Sequence, residues 1–221
     1  MGDKLHDKSV LVVGLGRFGG ALALALSRLG HEVLAIDTEL SRVQEYAAEL
    51  THVVQADATS EAALRQIGAH DLDVAVVAIG SDVEASVLAV GALIDVGVRE
   101  VWAKAITQAH GRILHRIGAH HVVFPESEVG ERVAHLLTGK MIDFIEFDDD
   151  FAIVKTKAPR ESHGRTLGDS ALRTKYKVTI VGVKRPGADF VYAQPSTEVH
   201  AGDLLIVAGA TDAVERFAAI T

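Results

Sequence analysis

Six residues, Gly14-Leu15-Gly16-Arg17-Phe18-Gly19, follow the apolar run SVLVV and precede a helical pattern. That is G-x-G-x-x-G spacing between a strand and a helix. The first glycine permits the tight turn, the second lets the backbone approach a pyrophosphate, and the third lets helix and strand pack closely. The helix start would then present free N–H groups and the positive end of its dipole to phosphates. Asp37 closes the second apolar run, VLAID, where its carboxylate can accept hydrogen bonds from ribose hydroxyls. An acid at this place also disfavours a 2′-phosphate, and so NADP. The plain alternative is that the glycines only make a turn and Asp37 caps the next helix.

Asp57-Ala58-Thr59 ends the third run, where an adenine edge would lie. Base or ribose contact by Asp57 competes there with an ordinary turn capped by Thr59 or Ser60. Leu15, Phe18, Thr38, Ile79 and Gly80 complete the candidate nucleotide contacts of these turns. Arg17, inside the phosphate turn, can fold over the phosphates and hold a charge beyond the pyrophosphate, or else stand as a solvated arginine. Glu126 follows Pro125 at the end of the sixth run, on the same carboxyl edge of the sheet. A carboxylate near phosphates is repelled unless a cation lies between, so Glu126 is a candidate Mg²⁺ or Ca²⁺ ligand; the alternative is a helix-start acid stabilised by the dipole.

The elements that position these residues are legible as six apolar runs, at 9–14, 33–37, 52–57, 74–80, 100–105 and 121–126, with helical segments between them. Near-continuous Val, Ile and Ala implies strands buried on both faces. The expectation is an α/β fold, a Rossmann-type doubly wound parallel sheet. In the first helix Phe18, Ala21, Leu22, Ala25, Leu26 and Leu29 fall on one stripe, and Gly30 follows as a stop, as Gly97 does for the fourth helix. A connecting helix over 126–141, with Val129, Val133, Leu136 and Leu137 on one face, runs into the acidic, aromatic stretch IDFIEFDDDFAIVKT. Strands at 151–155, 178–184, 189–193 and 203–209 with helices at 167–173 and 211–219 make a small α+β module. The expected domains are 1–125, a crossover helix and linker at 126–145, and 146–221.

Composition narrows the function. The 221 residues are 48% hydrophobic, enough for a real core, and contain no cysteine, so there is no disulfide framework, thiolate nucleophile or Cys-based zinc site. The net charge of −8 argues against sequence-independent nucleic-acid binding. No apolar run reaches the roughly 18 residues a membrane helix needs, and MGDKLHDK is too polar to begin a signal peptide, so a cytoplasmic protein is expected. The eleven histidines show no i,i+4 metal pair and are read as surface or turn residues. No nucleophile elbow or P-loop lysine is present. The motifs amount to a nucleotide holder without an evident reaction.

The words VVGLGRFG, AID, ADAT, AIGSDVEAS, VWAKA, RIGAHHVVFPESEVGERVA, LGDSALRTKYKVTIVGVKR and GDLLIVAG, in this order, resemble the cytosolic regulatory subunits of Ktr- and Trk-type potassium uptake systems. These pair an RCK N-terminal domain with an RCK C-terminal domain, and the VWAKA and GAHHVVFPE words look closer to the Ktr branch. The resemblance implies homodimers assembled into an octameric ring beneath a membrane potassium-translocating subunit, at the inner face of the plasma membrane. It implies ATP as the activating and ADP as the inactivating ligand, with Gly14, Gly16 and Gly19 on the phosphates, Asp37 on the ribose and Arg17 on the terminal phosphate. Glu126 resembles the family's glutamate near a divalent cation at the dimer interface, and Lys104 occupies a position near the nucleotide. It further implies cyclic di-AMP in the C-terminal domain, near Leu167, Arg173 and Thr179, although Thr179 stands where related subunits carry asparagine and Lys177 replaces a frequent glycine.

Two other readings compete. An NAD(H)-dependent oxidoreductase would need a proton-transfer residue aimed at the nicotinamide, and none is evident. A redox-sensing transcription factor would need a basic recognition helix, also not evident.

Overall fold

The computed structural model describes residues 8–138, 140–147 and 150–221. The polar amino-terminal stretch apart from Lys8 lies outside the described residues, as do Gly139 in the connecting segment and residues 148 and 149 of the acidic run. The chain divides into two compact units, 1–126 and 127–221.

In the first unit, strands and helices alternate as β1 (Ser9–Val13), α1 (Arg17–Arg28), β2 (Glu32–Asp37), α2 (Leu40–Tyr46), β3 (His52–Gln55), α3 (Glu61–Gln66), β4 (Val74–Val77), α4 (Val83–Asp95), β5 (Glu100–Lys104), α5 (Gln108–Arg116) and β6 (His121–Val123). The strands form one parallel sheet in the order β3-β2-β1-β4-β5-β6, the doubly wound arrangement expected. The switch in strand order between β1 and β4 opens a crevice at their carboxyl ends. Side chains alternate across the sheet: Leu11 and Val13 join a core with Ile36, Val77, Val90 and Leu93, while Val10 and Val12 join another with Leu15, Ala23 and Ala35.

One expectation fails in α1. The buried residues of that helix are Gly19, Gly20 and Ala23, whereas Ala21 is exposed and Leu29 is 74% exposed. A Cβ on Gly19 would lie 1.9 Å from the carbonyl oxygen of Gly14 and 2.9 Å from Cβ of Ala78. The helix start approaches the sheet so closely that only its small residues fit directly against it, while Leu24 and Leu26 pack half-buried beside that core and Leu29 is left outside.

The next helix, α6 (Pro125–Thr138), starts at the end of the first unit and continues as the first element of the second unit. Its strands are β7 (Met141–Phe147), β8 (Phe151–Lys157) and β9 (Arg165–Thr166), then, after α7 (Leu167–Ser170) and α8 (Leu172–Tyr176), β10 (Thr179–Lys184), β11 (Phe190–Tyr192), β12 (Glu198–Val199) and β13 (Leu204–Ala210), with α9 (Thr211–Ala219) last. Five strands form an antiparallel sheet, β11-β10-β13-β8-β7, and β12 pairs β9. Phe144, Val154, Leu172, Val207 and Phe217 lie in its core.

Two local readings are corrected here. Residues 141–147 are a strand, not the tail of a helix and linker. The helix expected over 167–173 is two short ones, separated at Ala171, whose φ of 50° places it in the left-handed region and stops the first helix. On α6, Leu136 packs on the second core, but Val129, Val133 and Leu137 of the same stripe are exposed. Among the described residues no helix is long and apolar enough to cross a membrane.

Candidate nucleotide site

A cleft of about 840 Å³ opens at the carboxyl ends of β1, β2, β4 and β5. Its walls include Gly14, Leu15, Gly16, Arg17, Phe18, Asp37, Thr38, Asp57, Ala58, Thr59, Ile79, Gly80, Lys104 and Glu126, every sequence-predicted nucleotide residue except Gly19, which is buried beneath the turn. The volume lies in the range of small-molecule sites.

The turn is built for close approach. Gly14 has φ 92°, a conformation that a side chain would strain, and its N–H donates to Ile36 O at 2.8 Å. Gly16 is the N-cap of α1, with φ −70°, ψ −171° and no side-chain cap hydrogen bond. Its backbone would suit any residue, and an added Cβ would meet no atom within 4 Å beyond its own chain neighbours. Glycine here therefore leaves open a space that faces the uncapped N–H groups of α1, a cradle that fits a phosphate.

Asp37 does more than wait for a ribose. Its Oδ2 accepts from Leu15 N–H at 2.7 Å and from Arg42 Nη1 at 3.3 Å, while Oδ1 accepts from Glu39 N–H at 2.9 Å. The buried carboxylate ties the end of β2 to the phosphate turn. Asp57 Oδ1 accepts from both N–H and Oγ1 of Thr59, and Ser60 caps α3 by accepting from Ala63 N–H at 3.3 Å. The cap is thus Ser60, and Asp57 shapes the turn before it.

In the same cleft the side chain of Lys104 is almost enclosed, and its ammonium lies 2.5 Å from Glu126 Oε1 and 5.7 Å from the centre of the Phe18 ring. That hydrogen bond, with a smaller contribution from Arg17, holds the Glu126 carboxyl below the usual carboxylate range. Arg17 is exposed at the first position of α1. Among the described residues no group of three or more His, Asp or Glu side chains could hold a metal ion. A divalent cation at Glu126 would need further oxygens from a ligand's phosphates or from a second copy of the chain.

Several cleft residues were not foreseen. Arg42, Tyr46, Asp82 and Ile106 line it, and Asp82 caps α4 by accepting from Ala85 N–H at 3.0 Å. Asp82 could have been read from its place before a helical apolar run. His110 corrects the view of the histidines as surface or turn residues. It is 2% exposed, its Nδ1 accepts from Ile106 N–H at 3.4 Å, and its Nε2 has no partner among the described residues. Burial pushes its pKa down, so the ring is neutral. Of the cyclic di-AMP candidates, Leu167 packs on the second core, while Arg173 and Thr179 are exposed. None of the three borders this cleft.

The TrkA-N domain model matches residues 10–125 and the TrkA-C domain model residues 151–221. The chain is 38% identical over 212 residues to Ktr system potassium uptake protein C of Bacillus subtilis, covering 95% of this chain and 96% of that protein. Among solved structures, the GsuK RCK domain superposes with TM-score 0.67 at 16% identity, over 99% of this chain and 48% of that one. The GsuK protein bound to ADP matches with TM-score 0.52 at 26% identity, over 61% of this chain and 35% of that one.

Proposed function

The chain belongs to the RCK-domain family of Ktr- and Trk-type potassium uptake proteins, as a regulatory subunit with a nucleotide-binding Rossmann domain, and on that premise we propose that ATP and ADP are the ligands that its cleft reads. The observation that carries this is Gly16, open on the cleft side and backed by the uncapped N–H groups of α1. Arg17 and Lys104 supply the positive charge that phosphates beyond the first would need. The ADP complex of GsuK supports an adenine nucleotide.

ATP and ADP differ by one phosphate, so the switch needs a group that meets the terminal phosphate in only one conformational state. Arg17 is that group, with Gly14, Gly16 and Gly19 on the inner phosphates and Asp37 and Asp57 toward the ribose and base. ATP favours the active form of a ring of homodimers, an octamer, and ADP the inactive form. The ring acts on a membrane potassium-translocating subunit from the cytoplasmic side. The exposed apolar residues Val129, Val133 and Leu137 support a role for α6 as the element that crosses to a second copy and bends between states. Mg²⁺ or Ca²⁺ would bind between Glu126 and phosphate oxygens, releasing Lys104. Cyclic di-AMP would act near Leu167, Arg173 and Thr179. NAD(H) is the second reading, favoured by a carboxylate at Asp37 that suits an unphosphorylated ribose.

Calorimetric titration of nucleotide-free protein with ATP, ADP and NADH, with and without Mg²⁺, tests the proposal. Tight ATP and ADP binding with weak NADH, and a loss on Arg17→Ala that is larger for ATP than for ADP, is the expected result. Tight NADH with indifference to ATP would overturn it, and equal losses for ATP and ADP would remove Arg17 from its role.

A further inference from the structure

A second cleft, of about 690 Å³, lies wholly within the second unit, between the end of β8 and the segment that follows it, the end of α8 and the residues after α9. Its walls carry the cations Lys140, Lys157 and Arg160, the ring of His163, the ring of Tyr176 and one acid, Glu161. The acid is already engaged. Its carboxylate pairs with Lys175, which is not part of the cleft, and accepts from the Tyr176 hydroxyl. Those two bonds hold its carboxyl below the usual range, so it stays charged and committed to them.

Lys140, Lys157 and Arg160 make no ion pair among the described residues. Three uncompensated cations therefore share one concave site in a chain whose net charge is −8. The positive charge there is local, and a low-dielectric wall focuses it. His163 is held by a 3.0 Å hydrogen bond between its Nε2 and Ala158 O, and Tyr176 is pinned edge-on against Phe217, 5.3 Å between centroids. Two of the cleft's rings are thus fixed in place beside the cations.

We propose that this cleft is a second anion site that takes a small, multiply charged phosphate-type oxyanion. A concave site of this volume encloses a small molecule, not a flat lipid surface. It is separate from the nucleotide cleft, which lies in the first unit, and Leu167, Arg173 and Thr179 do not line it. Arg160 supplies the planar fork suited to two oxygens of one phosphate, and the two lysines supply point charges.

The test uses the full chain with its nucleotide cleft saturated by ADP, at low ionic strength, with inorganic pyrophosphate as the probe. Calorimetry is expected to show a pyrophosphate site, and the melting temperature to rise by about 2–4 °C at saturation. Lys157→Gln with Arg160→Gln should lower that affinity at least tenfold, and Lys140→Gln alone several-fold, with ADP binding unchanged. All three side chains are exposed, so the variants keep the core intact. Three outcomes would overturn the proposal: an equal melting shift with sodium chloride at matched ionic strength, pyrophosphate binding undiminished in the double variant, or binding lost only through a change at Gly16.

Discussion

The ammonium of Lys104 sits 2.5 Å from Oε1 of Glu126, in the cleft that the phosphate turn also lines, and Glu126 is the second residue of α6. One cation is thus committed to the element that leads out of the first unit. A terminal phosphate and Glu126 would compete for it, and a divalent cation that took Glu126 would set it free. Glu126→Gln should therefore raise metal-free ATP affinity three- to tenfold, a gain of about 1 kcal/mol, and flatten its dependence on Mg²⁺. Lys104→Gln should lower ATP affinity. Titrations in EDTA and in Mg²⁺ decide it: weaker metal-free ATP binding by Glu126→Gln would show that the two groups do not compete.

The two glycines that flank the start of α1 should separate binding from folding. Gly16→Ser puts a Cβ where no atom beyond its chain neighbours lies within 4 Å, at a helix N-cap where serine is favoured. Stability should hold or rise by up to about 1 kcal/mol, while nucleotide affinity falls at least tenfold because the hydroxyl takes the N–H groups and the space. Gly19→Ala drives a Cβ into Gly14 O and should cost about 1–3 kcal/mol or more. Urea melts beside nucleotide titrations make the comparison. A stable Gly16→Ser that still bound ATP normally would remove the cradle.

The parallel sheet was legible because strands buried on both faces become unbroken apolar runs, and the glycine turn because its three positions each answer to a backbone need. Helix rotation was less so. In α1 glycine and alanine take the fully buried places nearest the sheet, since the approach to Gly14 leaves no room there for larger side chains, and Leu24 and Leu26 pack half-buried beside them. β7 was hidden by its irregular register: a shift between Met141 and Asp143 breaks the alternation, so Ile142, Ile145 and Phe147 face outward on an edge strand. His110 carried no sequence signal, because its burial is set by tertiary packing. Asp37 was found, but its hydrogen bond to Leu15 belongs to a turn whose shape spacing alone does not show.

His110 makes stability depend on pH in a known direction. Its folded-state pKa is lowered by burial, so below about pH 6.5 the unfolded chain binds a proton that the folded chain refuses. Stability should fall as the pH drops from about 6.5 toward the folded value, by up to about 1.4 kcal/mol per pH unit. Ten other histidines titrate too, so the difference between wild type and His110→Asn isolates the effect, since asparagine can still accept from Ile106 N–H. Urea midpoints at pH 7 and pH 5 measure it. A difference that does not change with pH would mean that the imidazole is not held neutral by the fold.

Lys177 follows α8 with φ 57° and ψ 36°, in the left-handed region that costs a side-chain-bearing residue about 1–2 kcal/mol. This is the position at which the resemblance anticipated glycine. Lys177 is exposed and forms no ion pair among the described residues, so its side chain offers little to offset the strain. Lys177→Gly removes the Cβ clash but gives the unfolded chain more freedom. The balance should favour the variant by about 0.5–1 kcal/mol. Equilibrium urea unfolding reads this as a higher midpoint at an unchanged slope. A lower midpoint would show that the unfolded chain's gain in freedom outweighs the strain relieved at this turn.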